Sequence, residues 1–414
     1  MLHTPITDEQ LAAWSEGYAA SAERQLATLA LSKHDLNEVA YSPADGFAMT
    51  QTFSVDIPTM PVTDQERSGR CWLFAATNVL REHIAHVLNI EEFELSQSYL
   101  AFWDKFERCN YFLENILETA HLPTDDRNVA FLLTTGVHDG GQWEMFANIV
   151  RKYGVVPQSV YGETFQSCHT ASMNHYVNRS LKVCAVKLRG MAADGAAPEA
   201  LQAEKQRMLE RFYGFLCSCY TEPPKQFDFE YTDKDKVYHA ERGLTPLTFR
   251  DKYVGTLLDD TVSIINAPTA DKPYHRSYTV RFLGNVKEGQ IVRYVNLPID
   301  ELKRAAIAQL KAGKPVWFGC DVGKSSVREQ GVMAMNAYAL EDLLDTDFPM
   351  TKAQRLDYGQ SLMTHAMVFM GVDLDEAGNP VRWCVENSWG DEPGDKGYYV
   401  MTDDWFNEYM YQIV

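Results

Sequence analysis

The sequence predicts an α+β fold in two lobes, a helical lobe followed by a β-rich one, with a large, mainly helical insertion between them. Three observations carry this. The chain has 414 residues, beyond the size at which one hydrophobic core keeps growing. Its first part is dominated by apolar residues at helical spacing, and its last part alternates short apolar runs with turns. Between these, residues 190–220 look helical and carry many charges.

Taken in order, residues 1–60 read as an N-terminal helix and an extended arm. Thr7 followed by Gln10 is a capping box. Leu11, Trp14 and Tyr18 then fall on one face of an amphipathic helix over residues 8–30. Pro, Gly and Thr make residues 40–63 extended. The helical lobe, 61–170, begins with a helix from Cys71 to about Leu88, on which Leu73, Ala76, Leu80 and Ile84 share a face. Further helices are predicted near 95–119 and 141–153. Residues 171–290 form the insertion, ending in irregular strands, with a loop of small residues from Ala192 to Ala197. The β-rich lobe, 291–414, opens with a helix from Ile299 to Ala312, closed by Gly313. Strands follow at Pro315–Val322, Ala366–Asp373, Val381–Glu386 and Tyr398–Met401, with a hairpin turn over Asp375–Pro380.

Composition narrows the function. A formal net charge of −19 disfavours nucleic acid and anionic membranes as partners. No stretch has the length and purity of a membrane span. Residues 1–30 lack the basic start and apolar block of a signal peptide, which predicts a cytoplasmic protein. Eight scattered cysteines form no C-x-x-C pair. In a reducing compartment they are expected to be mostly free and buried.

Among these cysteines, Cys71 stands apart by its surroundings. It opens a helix, where unpaired N–H groups and the dipole favour negative charge. A thiol there is expected to have a lowered pKa, and the thiolate is the nucleophile. Gly69 allows close backbone approach to a substrate. Gln65, six residues upstream, carries an amide that can hold an oxyanion together with the Cys71 N–H. A thiol nucleophile needs a base, and the base an orienting group. His365 stands at the entry of one predicted strand and Asn387 at the end of the next, so a hairpin brings them side by side. Trp389 would then cover their hydrogen bond. His83 and His86, more than two turns along the Cys71 helix, are read as packing or surface residues.

The segments Gln65–Cys71 and Asn387-Ser388-Trp389-Gly390 resemble the papain-like cysteine peptidases. The closer resemblance is to the branch of bleomycin hydrolase and bacterial aminopeptidase C. It is carried by Ser68-Gly69-Arg70-Cys71-Trp72-Leu73-Phe74-Ala75-Ala76-Thr77-Asn78, Asp139-Gly140-Gly141-Gln142-Trp143, Lys152-Tyr153-Gly154-Val155-Val156-Pro157 and Met363-Thr364-His365-Ala366-Met367. Papain-like secreted enzymes carry His and Asn roughly 130–150 residues after the Cys. Here the separation is far longer, as the branch's helical insertion implies. The resemblance implies a papain-like two-lobed fold with Cys71 as nucleophile, His365 as base and then acid, Asn387 as orienter and Gln65 as oxyanion donor. Gly140 and Gly141 would line the substrate cleft. It implies peptide substrates, no cofactor or metal, and a homo-hexamer.

In this branch a C-terminal arm reaches past the position of Val414 into the cleft and receives the substrate's amino group. The sequence therefore leaves an aminopeptidase and an endopeptidase open, with a non-catalytic oligomeric scaffold or nucleic-acid binder as a reading of another class. It does not separate hydrolysis from acyl transfer.

Overall fold

The computed structural model describes residues 4–42 and 50–414. Part of the expected extended arm, residues 43–49, lies outside them.

The arm begins with the predicted capping box at Thr7 and Gln10, but the single helix over 8–30 is two, Asp8–Ala20 and Ala22–Leu31. Ser21 breaks it by leaving helical geometry and capping the second helix with its hydroxyl. The apolar stripe is not buried: neither helix buries a side chain, and Leu11, Trp14 and Tyr18 are exposed. Further on, Val55–Asp56 adds a short strand to the strand His365–Leu374.

The helix Cys71–Leu88 has the predicted ends and buries Leu73, Ala76, Leu80 and Ile84. Asn89 closes it in the left-handed conformation. It packs with Gln97–Glu118, Trp143–Tyr153 and the long helices Ala171–Ala193 and Pro198–Tyr220 around one continuous cluster of apolar side chains. Residues 194–197 are the loop between the last two helices.

Among the described residues the main sheet has eleven strands. Its centre runs Met410–Ile413, Val316–Cys320, His365–Leu374, Pro380–Glu386 and Tyr398–Thr402, with each neighbouring pair antiparallel. Successive strand residues face opposite sides, and the strand His365–Leu374 uses both. Ala366, Val368 and Met370 join the cluster around the Cys71 helix, while Met367 and Phe369 pack with Trp383, Trp405 and Phe406. A strand covered on both faces reads as a continuous apolar run, as residues 366–372 do. The helix Ile299–Lys311 and its stop at Gly313, with φ +72°, are as predicted. The outcome that matters for chemistry is that the start of the Cys71 helix and the start of the strand at His365 meet at one end of the sheet.

Candidate active site

The hairpin of His365–Leu374 and Pro380–Glu386 pairs Val368 with Glu386. This register leaves His365 and Asn387 at the same end. His365 Nε2 lies 2.8 Å from Asn387 Oδ1. The same oxygen accepts the Ser388 backbone N–H at 2.8 Å. An atom receiving a backbone N–H must be the amide oxygen, so His365 Nε2 must donate. The proton on a neutral imidazole is then on Nε2, and Nδ1 keeps its lone pair. The Trp389 ring lies over His365 at 4.7 Å between centroids, tilted by 32°. His365 is 6% exposed and Asn387 2%.

Cys71 reaches this hairpin from the other side. The backbone N–H of Ala366, the residue after His365, is among the groups that pull the Cys71 thiol pKa down. The sequence expectation of a lowered thiol pKa does not hold. Burial is the largest influence and pushes Cys71 up to about 11, against the N–H groups of Ala366, Trp72 and Cys71 itself, which pull it down. Burial likewise pushes His365 down to about 4, with Asn387 pulling the other way. The environment therefore favours the neutral thiol and neutral imidazole.

Gln65 ties the two sides. Its Oε1 accepts from Ser388 Oγ at 2.8 Å and its Nε2 donates to Ser68 O at 2.5 Å, while its backbone N–H donates to Ser388 O at 2.9 Å. The amide is thus locked with nitrogen toward the Cys71 loop, and one of its two N–H groups remains. Arg70, before the nucleophile, is turned inward by its Nη1, which donates to both Glu163 carboxylate oxygens at 3.0 Å. Behind the site, Arg81 on the nucleophile helix bonds Glu386, the residue before Asn387, at 2.6 Å, with both side chains buried.

The glycines divide by role. A Cβ on Gly141 would lie 2.6 Å from the Trp72 ring, and one on Gly69 would lie 2.9 Å from Asp139 Cβ. At Gly140 a Cβ meets only ordinary contacts. Among the described residues, the Gly141 N–H and C=O have no hydrogen-bond partner, whereas Arg108 donates to Gly140 O at 2.6 Å.

Sequence reasoning gave Asp139 no role beyond its motif. In the structure it is the hub of the nucleophile loop. Its carboxylate accepts from Gly69 N at 3.1 Å, Thr170 Oγ1 at 2.5 Å, Asn174 Nδ2 at 2.8 Å and the buried Lys105. Its carbonyl accepts from Trp72 Nε1. Burial opposes its charge, but Lys105 and these donors hold the carboxyl well below the usual range. A signal was present: Lys105 falls in the buried stripe Phe102, Cys109, Phe112 and Ile116, and a charge on an apolar face calls for a partner.

A model of the Peptidase C1-like family matches residues 5–414. This chain belongs to that family. Aminopeptidase C of Streptococcus thermophilus is 51% identical over 362 residues, covering 87% of this chain and 81% of that protein. Aminopeptidase C of Lactococcus lactis subsp. lactis is 45% identical over 399 residues, covering 96% and 90%. The crystal structure of PepW from Lactobacillus rhamnosis HN001 superposes with a TM-score of 0.97 at 51% identity, covering 99% of this chain and 92% of that one. Family membership accounts for the α+β, papain-like architecture. Among the described residues no cluster of three or more His, Cys, Asp or Glu side chains is arranged to hold a metal ion, and no helix is long and apolar enough to cross a membrane.

Proposed function

We propose that the protein is a cysteine-type aminopeptidase that releases N-terminal residues from peptides through an acyl-enzyme on Cys71. The observation that carries this is the His365 tautomer. With Nε2–H committed to Asn387, Nδ1 keeps the lone pair that a base for Cys71 needs. Relatives named aminopeptidase C support the substrate class.

In this mechanism a bound peptide replaces water over the pair, and the Cys71 proton moves to Nδ1 as sulfur attacks the carbonyl carbon. The Gln65 amide and the Cys71 N–H receive the oxyanion. His365 returns the proton to the departing amine, leaving a thioester. Water, deprotonated by His365, then releases the N-terminal residue and restores the thiol. The unpaired backbone groups of Gly141 bind the acyl side of the substrate as an added strand residue would. Trp389 shields the His365–Asn387 bond from water.

An aminoacyl amide with a free α-amine should be hydrolysed and its N-blocked form should not, and Cys71→Ala should abolish turnover. A preference for blocked peptides would replace this reading with an endopeptidase. Activity surviving in Cys71→Ala would remove the assignment altogether.

A cytoplasmic location is supported by the cysteines, none of which is disulfide-bonded. A homo-hexamer is supported by the N-terminal helices, whose Leu11, Trp14, Leu26 and Leu29 are exposed and call for cover. Native mass measurement tests the assembly.

A further inference from the structure

Beyond Trp389 stands a cation with no ion-pair partner among the described residues. Arg328 sits in the turn between the short strands Ser326–Val327 and Val332–Met333, with its guanidinium 4.7 Å over the Trp389 ring. Trp389 in turn lies over His365. Arg328 is exposed and forms no ion pair among the described residues, although the chain carries 57 acidic side chains against 38 basic ones. Its neighbour Glu329 is exposed and does not pair with it.

The turn is held firmly. Gly331 N donates to Arg328 O at 3.1 Å, Gly394 N to Glu329 O at 3.2 Å and Val400 N to Gly331 O at 2.8 Å, and Tyr41 bonds Gln330. A Cβ on Gly331 would lie 2.6 Å from Gly394 Cα. An arginine whose face covers an aromatic ring keeps its in-plane N–H groups for a two-pronged bond to a carboxylate.

We propose that Arg328 is a carboxylate-binding subsite for the departing part of the peptide, so that short peptides with a free C-terminus are preferred. This rests on the reading of His365 as the acid that protonates the leaving amine, because that places the departing chain beside Trp389. The two 4.7 Å separations put the guanidinium at most about 9.4 Å from the imidazole. At roughly 3.3–3.6 Å per residue, one or two residues beyond the cleaved bond reach about 3–7 Å, and a hydrogen bond of about 3 Å to the guanidinium covers the rest. Di- and tripeptides are therefore the substrates whose terminal carboxylate reaches Arg328.

The test compares three neutral-sided substrates on the full-length enzyme: a tripeptide with a free C-terminus, its C-terminal amide, and an aminoacyl 4-nitroanilide. A fourth, amidated peptide carries glutamate just after the cleaved bond. Wild type should favour the free acid over the amide by about tenfold in kcat/KM, mainly through KM, since the carboxylate is bound in ground and transition states alike. Arg328→Gln should erase that preference, Arg328→Lys should keep part of it, and added salt should shrink it. Anilide turnover at neutral pH, well above the acid limb set by His365, whose pKa Arg328 helps to lower, should be unchanged in Arg328→Gln. Equal rates for acid and amide in wild type, or a preference that survives Arg328→Gln, overturns the proposal. An Arg328-dependent preference for the glutamate amide alone keeps the carboxylate subsite and overturns the terminal source. Absence of anilide cleavage by wild type would instead remove the aminopeptidase reading.

Discussion

His365 and Asn387 are placed by a ladder of backbone hydrogen bonds, whereas Cys71 and Gly69 are placed by buried charges from distant elements. The strand that starts at His365 is hydrogen-bonded on both sides, to Val316–Cys320 and to Pro380–Glu386. Its register follows from side-chain alternation, so a slip would turn every buried residue to the wrong face. The nucleophile loop has no such ladder. It is held through Asp139, which joins Gly69 and Trp72 to Lys105, Thr170 and Asn174. One half of the site is thus fixed mainly by backbone pairing, and the other depends on buried side-chain charges.

The largest expected effect lies in the chemistry itself. His365→Ala should cut kcat/KM by about 10³-fold or more, since it removes both base and acid, yet leave the unfolding midpoint almost unchanged because the ladder does not use the imidazole. A large loss of stability would show that His365 is structural.

Next comes the charged half. Lys105→Met leaves Asp139 buried with its main cationic partner gone, and should cost about 3–5 kcal/mol in chemical denaturation. Activity should fall with it. Pairing it with Asp139→Asn should recover part of the stability. The Asp139 carboxyl is held below its ordinary 3.8, so its stabilisation is full above that pH and is lost as pH falls below it. The stability gap between wild type and Asp139→Asn should therefore narrow when measured below pH 3.8.

Gly141→Ala should cost about 1–3 kcal/mol as the Trp72 ring is forced aside, and Gly140→Ala much less. Equal effects in a melting comparison would contradict the packing at Trp72. The finest readout concerns the base. Proton uptake by His365 near pH 4 should set the acid limb of the kcat/KM profile. Asn387→Ala removes a bond that raises that pKa, so the limb should move to lower pH, on top of the loss of rate.

The sequence alone carried the helix from Cys71 to Leu88, the His365–Asn387 hairpin and the α+β order, because each follows from a local period or turn. It also carried the Gln65–Cys71 and His365–Asn387 pairings as candidates, of which the structure joins His365 to Asn387 by a hydrogen bond and ties Gln65 to Ser68 and Ser388. It placed one helix where Ser21 makes two, and the apolar face it read at Leu11, Trp14 and Tyr18 points outward, because periodicity reports a face and not what covers it.

Three-dimensional structure alone decided the rest. The Lys105–Asp139 and Arg81–Glu386 pairs join residues far apart in the chain, and no local pattern states which buried charge meets which. The charge state of Cys71 is of the same kind. A helix start lowers a thiol pKa, and that much is local. Burial under the sheet raises it by more, and burial is a property of the whole fold.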